Sequence, residues 1–419
     1  MRADVNQERP RAERIVVTGL GVVSAAGVGV GRFWSSIVAG RAACTRNERF
    51  VLTGSAPRAA GLIENFAPET EFGWDGGPNR MEEDRLCRIA EAAIGEAIED
   101  AGLDPDMRDE TALYVSSAIG PMGTMEKVAA HASTASAGAW RAFSLGRLPA
   151  HLARRAGLGG AYVMVPTGCT GGCDALGYAL AALREGAARR AVVGAFEAPV
   201  TPLVVASFNR LGATSSRACP PEQASCPFDL DRDGFVLGEG GGALVIETET
   251  AALERGAAPL AVVSGYGSVS SGYHMTDIHA SGEPIARSLA AALADAGLHP
   301  GDIDHVNLHG SSTPQNDVAE ANAMRAIFGA AAATIPVTSL KSQIGHALAA
   351  ANAMELVACV LSLRDGLIPP TANLCRPDPA CGLNVVAGTA AAGRLRHVAK
   401  TASGFSGIHS SLVLSQYEA

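Results

Sequence analysis

Residues 16–24 read VVTGLGVVS and residues 262–270 read VVSGYGSVS, two apolar runs that carry Gly-x-Gly at the same offset. Each run is the length of a buried strand. Further along each half a helical pattern closes on nearly the same words, Asp100-Ala-Gly-Leu-Asp-Pro and Asp295-Ala-Gly-Leu-His-Pro. Glycine there supplies the left-handed residue that ends a helix, and proline beyond it prevents continuation. A third correspondence joins the helices ending Leu183-Arg-Glu-Gly and Leu363-Arg-Asp-Gly, each preceded by a short apolar strand at 162–165 and 334–337.

Strands alternating with helices predict parallel βαβ units covered on both faces. The repetition predicts two similar α/β halves, 15–257 and 258–419, packed as one body behind a flexible segment 1–14. The first half is longer, with Gly-, Pro- and Ala-rich stretches around 41–80 and 120–150 that read as loops or caps over a site.

Composition narrows the function. The chain has 419 residues, 47% of them hydrophobic and 18% charged, enough apolar material for a large core. A formal net charge of -9 argues against a nucleic-acid surface. No run of 18 apolar residues appears, and residues 1–14 lack the apolar stretch of a secretory signal, so no membrane partner and a cytoplasmic location are expected. Nine cysteines without a CxxC pair fit neither a disulfide framework nor a zinc ribbon, and no metal or permanently bound cofactor is expected.

The segment VPTGCTGGCDALGYALAALREG, 165–186, reads as a buried strand, a turn at Thr167-Gly168 and an apolar-faced helix from about Thr170. Cys169 falls on the turn, where the helix N-terminus is expected to lower its pKa and favour a thiolate. Cys173, one turn further in, is expected to face the core.

Two histidines occupy comparable places. Asp304-His-Val-Asn-Leu-His309-Gly-Ser-Ser-Thr-Pro reads as a buried strand ending in a turn, which presents His309 at the carboxyl end of the strand, where ligands of α/β sheets gather. Leu340-Lys-Ser-Gln-Ile-Gly-His346 precedes an Ala-rich helix at the position that the repeat equates with the Cys169 turn. Lys341 would disfavour further positive charge beside these imidazoles.

TGCTGGCDALGYA, HGSSTPQND and KSQIGHALA resemble the nucleophile and histidine motifs of β-ketoacyl synthases, most of all the ketosynthase-α subunits of type II polyketide synthases. The likeness runs from VVTGLGVVSAAG to SGFSGIHSSLVL and includes PFDLDRDGFVLGEGGGALVIE and YHMT. It implies a thiolase-like fold, layered α/β/α/β/α, and decarboxylative Claisen condensation of an acyl-Cys169 with a malonyl-type thioester. By resemblance His309 and His346 are catalytic, Glu320 is the carboxylate partner of Lys341, and the backbone N–H groups of Cys169 and Phe405 hold the oxyanion. Phe405 matches a gating phenylalanine, although sequence alone reads it equally well as a core aromatic. Thr276, Ser311 and Thr313 match hydroxyls that line the tunnel for the phosphopantetheine arm of an acyl carrier protein. The implied second subunit is an identical copy or a chain-length factor.

The basic cluster for the carrier is replaced by Arg80-Met-Glu-Glu-Asp, so Arg210, Arg154 and Arg155 are expected to dock it. The segment between Glu126 and Cys169 is shorter than the family pattern, and Ser406 replaces the second glycine of the usual GFGG turn. A chain-length factor would lack the nucleophile, and a degradative thiolase would carry a second cysteine where Gly404-Phe-Ser-Gly stands. An acyltransferase that stops after loading Cys169 remains the alternative. Gly19-Leu-Gly lacks the third glycine of a dinucleotide turn. Asp229-Leu-Asp-Arg-Asp-Gly begins like a calcium loop but has Gly240 at position 12.

Overall fold

A computed structural model describes residues 13–50, 52, 58–66, 84–130 and 144–418. In its first half, strands β1 (Ile15–Ser24), β2 (Ala112–Ser116), β3 (Tyr162–Met164), β4 (Arg190–Glu197) and β5 (Gly240–Thr248) lie in the order β1-β5-β4-β2-β3. The second half contributes β6 (Ala261–Ser270), β7 (His305–Asn307), β8 (Pro336–Thr338), β9 (His397–Gly404) and β10 (Ile408–Gln416), in the order β6-β10-β9-β7-β8. The two orders are the same, and so are the directions. In each half the first three strands pair antiparallel and the last three parallel. The halves meet edge to edge where Val16 and Val17 of β1 pair with Val262 and Ala261 of β6.

Six principal helices complete the layers: α1 (Arg85–Asp100), α2 (Arg147–Ala156), α3 (Gly171–Arg184), α4 (Glu283–Ala296), α5 (Pro314–Phe328) and α6 (Leu348–Asp365). Helices α1 and α2 cover the outside of the first half, and α4 and α5 cover the second. Helices α3 and α6 pack against each other and against strands of both halves, forming the central layer of a thiolase-like α/β/α/β/α body. Helix α6 is buried from Leu348 to Leu363, which accounts for its apolar character on every side.

The repeated Gly-x-Gly has a packing cause. A Cβ on Gly19 or Gly21 would fall 2.3 or 2.0 Å from the carbonyl oxygens of Ala97 or Ala93 in α1. On Gly265 or Gly267 it would fall 2.3 or 2.4 Å from those of Ala292 or Ser288 in α4. The motif lets one helix lie directly on each first strand, and β1 is buried throughout.

Several element bounds differ from the sequence expectation. Strand β3 begins at Tyr162 as expected and ends one residue early, β8 begins two residues late and ends one late, and α3 starts at Gly171 because Gly168–Thr170 form a 3-10 turn. Parts of 41–80 and 120–150 fall outside the described residues, as do residues 80–83. The Asp229 carboxylate accepts the backbone N–H groups of Asp231, Cys375 and Arg376, so it braces a loop.

Candidate active site

Matching strand order gives matching strand ends. Strand β3 leads through the Cys169 turn into α3, and β8 leads through the short helix Lys341–Ile344 and His346 into α6. His309 follows β7, and Phe405 follows β9. These carboxyl ends converge on one cavity of about 330 Å³, whose lining includes Cys169, His309, His346 and Phe405.

Cys169 is held from several directions. Gly168 takes φ 61°, turning the chain before the cysteine. A Cβ on Gly172 would lie 2.7 Å from the Ala353 nitrogen, so the glycines after Cys169 let α3 pack closely on α6. Asn352 of α6 donates its side-chain N–H to the Cys169 carbonyl. The buried Asp174 carboxylate accepts hydroxyls from Thr167 and Thr170 beside the cysteine, and from Tyr266 and Ser410 in the second half. Cys173 lies in the core, as expected.

The thiol contradicts the expected low pKa. Burial pushes Cys169 up to about 11, and the Glu197 carboxylate adds to the effect. Lys341 and the N–H groups of Phe405 and Cys169 pull the other way without overcoming it. Cys169 retains partial exposure where it lines the cavity, but its surroundings are protein rather than water. The helix N-terminus is present; desolvation outweighs it.

The two imidazoles face each other edge to face, with ring centroids 5.2 Å apart. His309 has its backbone N–H bound to Glu320, and the same carboxylate accepts the Gly310 N–H. His346 is fixed by its N–H to the Val236 carbonyl at 2.7 Å, by its carbonyl to the Gly238 N–H at 3.0 Å, and by edge contact with Phe235. Burial, then the nearby Lys341 charge, holds both rings well below the usual histidine range, so both are neutral at pH 7.

Glu320 is not the partner of Lys341. The Lys341 Nζ lies 2.7 Å from Glu355 Oε1, and Lys400 Nζ lies 2.9 Å from the other oxygen of the same carboxylate. Glu320 points instead under the turn after β7, where Thr401 and Asn316 add to the His309 and Gly310 donors. Burial lowers the Lys341 pKa against the opposing pull of Glu355. Glu355 and Lys400 fall outside the motifs that the sequence offers; the signals for them are an acid within the apolar run of α6 and a lysine in HVAKTASG.

Thr276, Ser311 and Thr313 line the same cavity, and the Ser311 and Thr313 hydroxyls are 2.9 Å apart. Lys341 and Glu320 lie behind the wall, outside its lining. Arg210 is exposed at the end of the helix Pro202–Arg210, whose neighbouring residues Phe208 and Leu211 line the cavity. Arg154 is exposed, whereas Arg155 turns inward to Glu91 at 3.4 Å and is unsuited to docking.

The chain is similar to known proteins over nearly its whole length. The family model described as "Beta-ketoacyl synthase, N-terminal domain" matches residues 12–252, and "Beta-ketoacyl synthase, C-terminal domain" matches 260–375. A putative polyketide beta-ketoacyl synthase 1 of Streptomyces cyaneus is 40% identical, over 96% of this chain and 98% of its own length. The tetracenomycin polyketide synthase ketoacyl synthase alpha subunit of Streptomyces glaucescens is 37% identical, over 97% of this chain and 98% of its own. A solved type II polyketide ketosynthase, bound to a hexaketide and in complex with its acyl-carrier protein, superposes with TM-score 0.89 at 36% identity, covering 97% of this chain and all of the other. Among the described residues no helix is long and apolar enough to cross a membrane. From the duplicated sheet order to the matched sequence, the chain belongs to the β-ketoacyl synthase family.

Proposed function

We propose that the chain condenses a Cys169-bound acyl group with a malonyl-type unit carried on an acyl carrier protein, in the cytoplasm and within type II polyketide or specialised fatty-acid synthesis. The carrying observation is the convergence of Cys169, His309 and His346 on one cavity. The reaction begins when sulfur attacks the carrier-bound acyl thioester. Because burial keeps Cys169 as a thiol, its proton must leave as the S–C bond forms, and the neutral imidazoles lining the cavity are suitable acceptors. The carrier thiol departs with a proton.

The malonyl thioester then enters along Thr276, Ser311 and Thr313. Its C–CO₂ bond breaks, and the electron pair becomes an enolate whose charge gathers on the thioester oxygen. Imidazole N–H groups of His309 and His346 donate to that oxygen without supplying an acidic proton to the carbanion. Lys341 and Lys400 are positioning charges: with Glu355 between them they discourage protonation of the rings. The carbanion attacks the acyl-Cys169 carbonyl, and the N–H groups of Cys169 and Phe405 receive the oxyanion. Collapse expels the Cys169 thiolate, which regains a proton. The products are CO₂ and a β-ketoacyl carrier thioester.

Relatives include a structure titled as a ketosynthase with its chain length factor. On this reading the present chain likewise pairs with such a factor or with a copy of itself, and Arg210 with Arg154 receives the carrier. Mass spectrometry after incubation with acyl- and malonyl-carrier proteins tests the assignment. Wild type should gain the acyl mass, Cys169→Ala should not, and His346→Ala should be acylated but release little CO₂. An adduct retained in Cys169→Ala refutes it, and acylation of wild type without CO₂ release would identify a simple acyltransferase.

A further inference from the structure

On the far side of Phe235 from the catalytic residues lies a second cavity of about 450 Å³. Its size falls in the usual range of small-molecule sites, ~300–1,000 Å³. Among the described residues Arg46, Arg58 and Arg217 line it, and no carboxylate does. Arg46 is exposed and has no side-chain hydrogen bond or ion pair among the described residues. Arg58 donates to the Thr214 and Ser215 carbonyls and the Thr214 hydroxyl, and Arg217 donates to the Gln223 carbonyl and the Cys226 sulfur. Each of these two guanidinium groups is thus oriented by neutral acceptors, leaving its charge uncompensated in the described structure. The floor is apolar, formed by Val200, Val205 and Leu237.

The wall is shared with the catalytic centre. Phe235 lines both cavities and touches the His346 ring at 5.1 Å between centroids. Val236 and Leu237 line the second cavity, while the Val236 carbonyl accepts the His346 N–H. An occupant therefore meets the extended segment that fixes His346.

We propose that this cavity binds an amphiphilic carboxylate, its head on Arg46, Arg58 and Arg217 and its tail on Val200, Val205 and Leu237, and that occupancy is felt at His346 through Phe235 and Val236. Charge favours the carboxylate over an alcohol of the same length, and the apolar floor favours it over inorganic phosphate. The proposal does not depend on the condensation chemistry, because its readout is binding.

Calorimetric titration of the full chain with decanoate, decanol and inorganic phosphate tests it. Decanoate should bind at least tenfold more tightly than either control, and Arg46→Gln and Arg217→Gln should each weaken it by about tenfold, the usual scale for one charge-assisted contact. Arg46 is exposed, so its variant should keep the wild-type unfolding midpoint. The His346 imidazole NMR signal, assigned with His346→Gln, should move with decanoate in wild type and move less at equal decanoate in Arg46→Gln. Absence of decanoate binding, equal binding of decanol or phosphate, or affinity unchanged by both arginine substitutions overturns the site. A stationary His346 signal at saturation overturns the coupling.

Discussion

Lys341 and Lys400 share one carboxylate, that of Glu355, inside a body where all three side chains are sealed from solvent. Two ammonium groups and one carboxylate leave a net positive charge behind the histidines. Burial lowers the pKa of Lys341, whereas Glu355 overcomes burial at Lys400 and raises it.

Glu355→Gln should therefore lower the unfolding free energy by about 3–5 kcal/mol, since it strands buried charges. Glu320→Gln leaves the lysines paired and weakens support under His309, for a loss of roughly 1–3 kcal/mol. Urea denaturation of the two variants checks the order. The reverse ranking would restore Glu320 as the partner of Lys341.

Cys169 should alkylate slowly at neutral pH. With its pKa pushed up to about 11, the thiolate fraction of the free enzyme grows about tenfold per pH unit through the neutral range. Iodoacetamide kinetics between pH 6 and 9 should show that rise and no plateau. A plateau below pH 8 would mean that the helix terminus and Lys341 dominate over burial.

Acid should weaken the fold through its histidines. Burial lowers His305 to about 3 and His409 to about 4, and puts His309 and His346 well below their usual value. Below about pH 6.5 the unfolded chain binds protons that the folded chain does not, so each such histidine removes up to about 1.4 kcal/mol of stability per pH unit. Among the described residues neither ring nitrogen of His305 has a hydrogen-bond partner. His305→Leu should raise stability by about 1–3 kcal/mol and reduce the slope of stability between pH 6.5 and 5, as read by denaturation at each pH. An unchanged slope would show that His305 takes up its proton in the folded state.

The glycines around Cys169 should fail for different reasons. At Gly168 there is open space but φ is 61°, so Gly168→Ala should cost about 1–2 kcal/mol of backbone strain. At Gly172 an added methyl would meet the Ala353 backbone at 2.7 Å, so Gly172→Ala should overpack α3 against α6 and cost about 1–3 kcal/mol. Gly172→Ala should also slow condensation by shifting Cys169 relative to His346. Denaturation midpoints and single-turnover rates measure both effects.

Much of this was legible in the chain. The repeated Gly-x-Gly and DAGL endings marked the halves because close helix packing and helix termination restrict the residues that fit. Cys169, His309 and His346 could be grouped because equivalent strand ends converge in a duplicated sheet. The Glu355 pairing was not legible: local spacing places Asn316 and Glu320 on one helical face, but which buried acid meets Lys341 depends on how α6 lies against β9. The Cys169 pKa is not legible in the motif, which shows the turn and not the depth of protein around it. Arg155 looked like its neighbour Arg154, yet one turned inward to Glu91.

Equivalent seats in the two halves hold different residues, sulfur after β3 and imidazole after β8. A symmetric molecule would set like against like and gain neither donor nor nucleophile from its twin. The directionality of the reaction thus comes from divergence between copies, and exchanging Cys169 with His346 while keeping Gly168 and Gly345 should retain the architecture and reverse the polarity of the cavity.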